Sequence, residues 1–431
     1  MVKKLFYNAR IIDPSENLDF HGSLIVNDDK ITSIEENTNP RITDENIEKY
    51  NCNKKILCPG IIDIGVSIGE PGYEYKENIL SVTKAAAAGG VTTIISMPDT
   101  KPAIDDISLL DFIIGRAKNF GLVNLFPMAG LTKNLEGQKM SEIGLLKKSG
   151  AIAFTDGYKS ISNSNLMKNL ILYLADFDAL ICHFSDVHEL SEEGSMNEGE
   201  IATRLGLKGI PSYSEAIMLE RDLQLLNSLR VGKYHATCIS TEESISVIKR
   251  GKAKSLNISA ATSPYHFMLN ESEVMNYKTF AKLKPPLRSE QDRKAVIEGI
   301  KDNTIDIISS LHRPETEENK RLPFSQAKFG ASGLETLLSS SLSLYHSNNI
   351  DLIQLLDKIT SAPAKLMNLD RGKLTPGSVA DIILFDPNKP WVVNAESFYS
   401  KSKNTPFDKL PMQGKVLMTM VSGNVVYPFK K

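Results

Sequence analysis

What this sequence of 431 residues lacks narrows the field first. Its four cysteines, Cys52, Cys58, Cys182 and Cys238, form no Cys-x-x-Cys pair and no disulfide-like cluster, so reduced thiols are the default. There is no surplus of either charge: 50 Lys and Arg face 52 Asp and Glu, and the net charge is -2. That balance gives no general attraction to nucleic acid or an anionic membrane, and leaves small molecules or protein surfaces as partners. No segment reaches the roughly 18 apolar residues of a membrane span. The amino terminus, Met1-Val-Lys-Lys-Leu-Phe-Tyr-Asn, lacks the apolar run and cleavage site of a signal peptide, so a cytoplasmic protein is expected. Heptads, solenoid periods and low-complexity stretches are absent. A Gly-rich phosphate turn at a strand end is absent too, which argues against a doubly wound nucleotide-binding sheet.

What is present is enough apolar residue, 41% of the chain, to bury a large core. Residues 1–58 read as short β-rich runs at 4–12, 22–26, 30–34 and 54–57, separated by Asp, Asn, Pro and Gly. Residues 366–431 repeat that pattern, with a buried-strand run at 379–386 and two strands joined at Gly423 and Asn424. Neither end is long enough to stand comfortably alone, so the two are placed together as one β-sandwich layer. Between them, at 59–365, apolar β-branched runs alternate with helical patterns. The runs fall at 61–66, 91–97, 123–128, 151–155, 179–183, 234–239, 256–262 and 305–309. Helical segments at 76–88, 214–229, 241–250 and 332–345 fill gaps between them. The fold class predicted is α/β, a (β/α)8 TIM barrel with the accessory layer.

In such a barrel the reactive groups project from the C-terminal ends of the strands. The first strand end reads Pro59-Gly-Ile-Ile-Asp63-Ile-Gly65-Val-Ser67-Ile-Gly69-Glu70-Pro71-Gly72. Further blocks are Ala85-Ala-Ala-Ala-Gly-Gly-Val-Thr-Thr93, Met97-Pro-Asp-Thr-Lys-Pro102, Leu205-Gly-Leu-Lys-Gly-Ile-Pro211, Lys284-Pro-Pro-Leu-Arg288, Phe329-Gly-Ala-Ser-Gly-Leu-Glu-Thr336 and Asn404-Thr-Pro-Phe407. In this order they resemble the dihydroorotases of the amidohydrolase superfamily over nearly the whole chain. The resemblance implies a metal that generates hydroxide and polarises a ring amide, a carboxylate that moves protons, and groups that grip a substrate carboxylate.

Matched residue by residue, much of that chemistry is missing. Gly65 and Ser67 stand where the family has the two histidines of an Asp-x-His-x-His clasp, and a serine hydroxyl is a poor ligand. Leu311, in Ile307-Ile-Ser-Ser-Leu311-His312-Arg313-Pro314, stands where a metal-binding, proton-transferring aspartate belongs. The substrate positions are altered as well: Gly69 for an arginine, Asp99 and Lys284 for asparagines, and Glu315 for a histidine. Asp99 and Glu315 would repel a carboxylate, and Lys284 could offset one charge.

Asp156, His183 and Cys238 fall at the other metal position. They could hold one zinc with a water, or be relics packed at a barrel mouth, in which case no cofactor is needed. His235 adjoins Cys238, but strand alternation would point the two apart. His266 and His312, beside motif prolines, are expected to satisfy local hydrogen bonds, and His188 to be solvated. Glu70 is placed to accept a backbone N–H, and the charged run 314–321 reads as a mobile loop. The leading expectation is a catalytically inactive dihydroorotase-like protein of pyrimidine synthesis, retained as a structural partner of aspartate transcarbamoylase in a homo- or hetero-oligomer. The alternatives are a single-zinc cyclic amidohydrolase of the dihydroorotase or hydantoinase kind, and a binding-only sensor.

Overall fold

The computed structural model describes residues 3–40 and 46–429; Met1 and Val2, part of the amino-terminal reading above, lie outside the described residues. Five strands come first: β1 (Lys3–Asp13), β2 (Leu18–Asn27), β3 (Lys30–Glu35), β4 (Ile47–Asn51) and β5 (Ile56–Pro59). Next are β6 (Ile61–Val66), β7 (Val91–Ser96), β8 (Asn124–Pro127) and β9 (Leu180–His183), then a short pair, β10 (Met196–Asn197) with β11 (Gly209–Ile210). The chain continues through β12 (Lys233–Ala236), β13 (Ile258–Thr262) and β14 (Ile307–Ile308). It ends with β15 (Ile382–Val392), β16 (Pro411–Val421) and β17 (Asn424–Tyr427).

Strands β6 to β8 pair in parallel, and so do β9, β12, β13 and β14. Phe154 joins the two sets through parallel bridges to Ala129 and Ile181. The ring closes at the strand ends, where the N–H of Ser67 donates to the carbonyl of His312 at 3.0 Å. This is a (β/α)8 barrel, and its closure excludes the open doubly wound sheet. Every residue of β6 and β7 is buried, as expected of parallel strands covered on both faces. The run at 151–155 fills its place in the ring: the Ile152 N–H donates to the Pro127 carbonyl at 3.1 Å and the Thr155 N–H to the Ala129 carbonyl at 2.9 Å, while Phe154 exchanges bonds with Leu180 and Cys182 on the other side. The regular pairing of the strand expected over 234–239 ends at Ala236. Backbone bonds continue beyond it, from the Thr237 N–H to the His183 carbonyl at 3.1 Å and from the Ile239 N–H to the Ala261 carbonyl at 2.7 Å, and then Glu215 accepts the N–H of Ser240 at 2.9 Å and that of Thr241 at 3.3 Å.

The two ends of the chain share one sheet of eight strands, in the order β17-β16-β15-β5-β1-β2-β3 with β4 beside β1. β5 carries the connection, parallel to β1 and antiparallel to β15. Thr419 of β16 donates to the carbonyl of Ala87 at 2.7 Å and fixes the layer to the barrel's first helix. That helix, Ile79–Ala88, begins later than residue 76 because Asn78 caps it, accepting the Ser81 N–H at 2.8 Å. Glu70 accepts the Ile79 N–H at 3.1 Å, and Arg116 pairs with the same carboxylate at 2.7 Å.

The run 314–321 is not a mobile loop. Glu317–Arg321 is a short helix, and the buried Lys320 ammonium donates to the carbonyls of Thr279, Lys282 and Lys328 at 3.2, 3.2 and 2.7 Å. The lysine's long stem lets its charge reach inward, which a sequence pattern of alternating charges does not reveal. Among the described residues no helix is long and apolar enough to cross a membrane.

Candidate functional site

The barrel's C-terminal strand ends surround a cavity of about 420 Å³, lined by Ser67, Gly69, Asp99, Lys159, Arg313 and Glu315 among others. Two glycines shape the strand-one end, and the second of them lines the cavity. Gly65 and Gly69 have φ of +86° and +70°, in the left-handed region. A Cβ on Gly69 would lie 2.4 Å from the carbonyl of Glu77, so no arginine fits there on this backbone. A Cβ on Gly65 would lie 3.1 Å from the terminal methyl of Met97. Met97, Ile64, Cys238 and Leu311 belong to one buried apolar cluster. Hydrocarbon therefore fills the space where the resemblance assigns a metal clasp.

The remaining three donors are engaged elsewhere. Asp156 accepts the N–H of Thr132 at 2.9 Å and the Thr132 hydroxyl, while burial pushes its carboxyl above the usual range. His183 is fully buried, and its Nε2 accepts the backbone N–H of Ile161 at 2.9 Å. Its Nδ1 then carries the proton and donates to Asp222 at 2.8 Å, with the Tyr234 hydroxyl at 3.1 Å. Asp222 is itself fixed by Arg221 Nε at 2.8 Å. Cys238 lies 3.9 Å from His266 Nδ1, and burial pushes its thiol far above the usual range. A zinc site needs lone pairs converging on one point and a thiolate that forms easily. As packed, this set does not fit a zinc ion, and among the described residues no three His, Cys, Asp or Glu are grouped to hold a metal.

The other histidines follow local hydrogen bonding. His266 contacts the Ser263 hydroxyl at 2.8 Å and the Pro285 carbonyl at 3.2 Å, and burial lowers its pKa to about 4. His312 Nδ1 accepts the Gly333 N–H at 3.2 Å, and His235 Nδ1 meets the Ser259 hydroxyl at 2.8 Å.

The pocket's polar groups form a different pattern from the one the sequence suggests. The Ser67 hydroxyl donates to Asp99 Oδ2 at 2.7 Å. Glu315 does not confront a ligand as a bare charge, because Lys76 pairs with it at 2.8 Å and Asn319 donates to it at 2.8 Å. Lys284 compensates neither Asp99 nor Glu315; it pairs with Asp186 at 2.8 Å. Arg313 lies over the ring of Tyr158, 4.2 Å from its centroid. Lys76, Arg313 and Tyr158 were missed as site residues, though Arg313 sits inside the strand-eight motif.

Residues 54–244 match the family model described as Dihydro-orotase-like. The chain is 41% identical over 423 residues to a protein of Ehrlichia canis (strain Jake) named Dihydroorotase, covering 98% of this chain and 94% of that protein. This chain belongs to the dihydroorotase family. A Dihydroorotase of Syntrophus aciditrophicus (strain SB) is 39% identical, covering 99% of both chains. The dihydroorotase-family fold is also seen in the L-hydantoinase (dihydropyrimidinase) of Arthrobacter aurescens, with a TM-score of 0.86 at 22% identity, covering 99% of this chain and 96% of that one.

These relatives overturn the expectation of an inactive scaffold held for aspartate transcarbamoylase. The likeness runs end to end with proteins named for the enzyme itself, so the alternative of a cyclic amidohydrolase fits better.

Proposed function

We propose that this chain acts in the dihydroorotase reaction class and takes a carboxylated cyclic amide in its strand-end cavity. The observation that carries this reading is the end-to-end identity with named dihydroorotases, together with a polar cavity at the end of the barrel where reactive groups collect. Opening such a ring needs a water made nucleophilic and a group to accept its proton. Among the described lining carboxylates, Glu315 is neutralised by Lys76, whereas Asp99 has Ser67 as its hydrogen-bond donor and no ion pair. Asp99 is therefore assigned the proton-accepting role. A metal would find no free ligand at these two positions, because His183 Nε2 accepts the Ile161 N–H and Leu311 offers no lone pair.

The test is ring opening of dihydroorotate by the purified full chain, followed by chromatography of the carbamoyl product, as isolated, after chelation and with added zinc. The expected result is turnover that survives chelation and is lost in Asp99→Asn. No turnover and no ligand binding under any of the three conditions sinks the reading. A second reading, binding of the same class without turnover, is favoured by the apolar packing around Leu311 and Met97. Saturable dihydroorotate binding with no product would select it.

A further inference from the structure

Arg313 has an environment unlike that of the other charged groups in the cavity. Its guanidinium rests on the Tyr158 ring, 4.2 Å from the centroid, and its backbone N–H donates to the Ala331 carbonyl at 2.8 Å. Tyr158 is buried, so the surface on which the guanidinium lies is rigid. Neither nearby carboxylate claims the arginine. Both oxygens of Glu315 are engaged, one by Lys76 and the other by Asn319. Asp99 is bonded through Oδ2 to Ser67 and makes no ion pair with Arg313. An arginine that is half-buried, seated on an aromatic ring and, among the described residues, left without a side-chain hydrogen bond or ion pair is pre-organised for an external planar anion. The surrounding charge agrees: Lys76, Lys101, Lys159 and Arg313 line the cavity against Asp99 and Glu315.

We propose that Arg313, positioned by Tyr158, is the carboxylate anchor of this cavity. The geometry also assigns the opposite pole. Because Ser67 donates its hydroxyl proton to Asp99, the lone pairs of Oγ are left to accept an N–H from a ring amide or an opened ureide. A ligand with a carboxylate at one end and an amide N–H at the other spans the two. The anchor comes from the strand-eight loop because the strand-one loop cannot supply it: a side chain at Gly69 would run into the Glu77 carbonyl. This inference rests on the substrate class proposed above, and its test separates the two.

Binding is measured by calorimetry on the full chain, with dihydroorotate and with dihydrouracil, the same ring without the carboxylate. The wild-type protein is expected to prefer dihydroorotate by about tenfold or more, with the preference shrinking as salt rises. Arg313→Gln is expected to bind both compounds equally, within about twofold, and Arg313→Lys to restore part of the preference. Tyr158→Leu, which keeps the charge but removes its platform, is expected to lose an intermediate share and serves if Arg313→Gln fails to fold. Undiminished preference for dihydroorotate in a folded Arg313→Gln protein overturns the anchor and leaves the substrate class standing. Equal binding of both compounds by wild type also overturns the anchor alone. Binding of neither compound removes both proposals together.

Discussion

The carboxylate of Asp63 accepts the backbone N–H of Ser310 at 2.8 Å and also takes the Ser310 hydroxyl, across 247 residues of sequence. Asp63 lies in the strand that opens the barrel, and Ser310 follows the one that closes it. The pair fixes the separation between the loop carrying Ser67 and the loop carrying Arg313, so it sets the span between the two poles of the cavity. An aspartate retained from the metal-clasp motif thus has a structural use that does not depend on a metal.

Asp63→Ala leaves a buried N–H and hydroxyl without an acceptor at the barrel seam. A loss of about 2–4 kcal/mol in urea unfolding is expected, with the slope of the transition unchanged. A loss below about 0.5 kcal/mol would mean that the seam closes without this pair.

Acid should weaken the fold through its buried histidines. His266 and His235 have pKa values lowered by burial to about 4 and about 3, against an ordinary value near 6.5. As pH falls below about 6.5 the unfolded chain binds protons that the folded chain refuses, so stability is lost from there down through about 4. Asp63, raised by burial to about 6, acts in the opposite sense between about 4 and 6, which makes a variant comparison necessary. His266→Gln should flatten the pH dependence of the unfolding free energy between pH 6.5 and 4 relative to wild type. Parallel curves would refute the assignment.

His183→Ala tests whether this histidine is a ligand or a brace. The brace reading expects a destabilisation of about 2–4 kcal/mol, from an unpaired Ile161 N–H and a buried Asp222 that loses a donor. It also expects less than about 0.1 zinc per chain in wild type after zinc equilibration and desalting, unchanged in the variant. One zinc per chain, lost with His183, would contradict it.

Gly65→Ala adds a single methyl at φ +86°, 3.1 Å from the Met97 methyl. The expected cost is about 1–2 kcal/mol from the left-handed backbone. Gly65→His should be worse, so restoring the first histidine of the clasp is expected to give protein with a lowered thermal midpoint rather than a metal site. A stable Gly65→His protein that takes up zinc would overturn this account.

The barrel was legible because its evidence is local. Apolar β-branched runs such as Ile61–Val66 and Val91–Ser96 are what strands covered on both faces require, and their number and spacing give the ring. The run at 151–155 was legible in the same way, and its backbone bonds to Pro127 and Ala129 on one side and to Leu180 and Cys182 on the other. The losses at Gly65, Ser67, Gly69 and Leu311 were also plain from the residues themselves. What they meant was not, because neighbouring charges in the cavity come from distant loops. Lys76 neutralises Glu315 across 239 positions, and Arg313 rests on Tyr158 from a separate strand end. The sequence by itself determined the barrel, the layer and the missing ligands, all of which follow from side-chain type along short stretches. Only the tertiary structure decided that both ring nitrogens of His183 are hydrogen-bonded, that Glu315 is paired and that Arg313 has no ion pair among the described residues, because hydrogen bonds and ion pairs depend on distances in space that spacing along the chain does not encode.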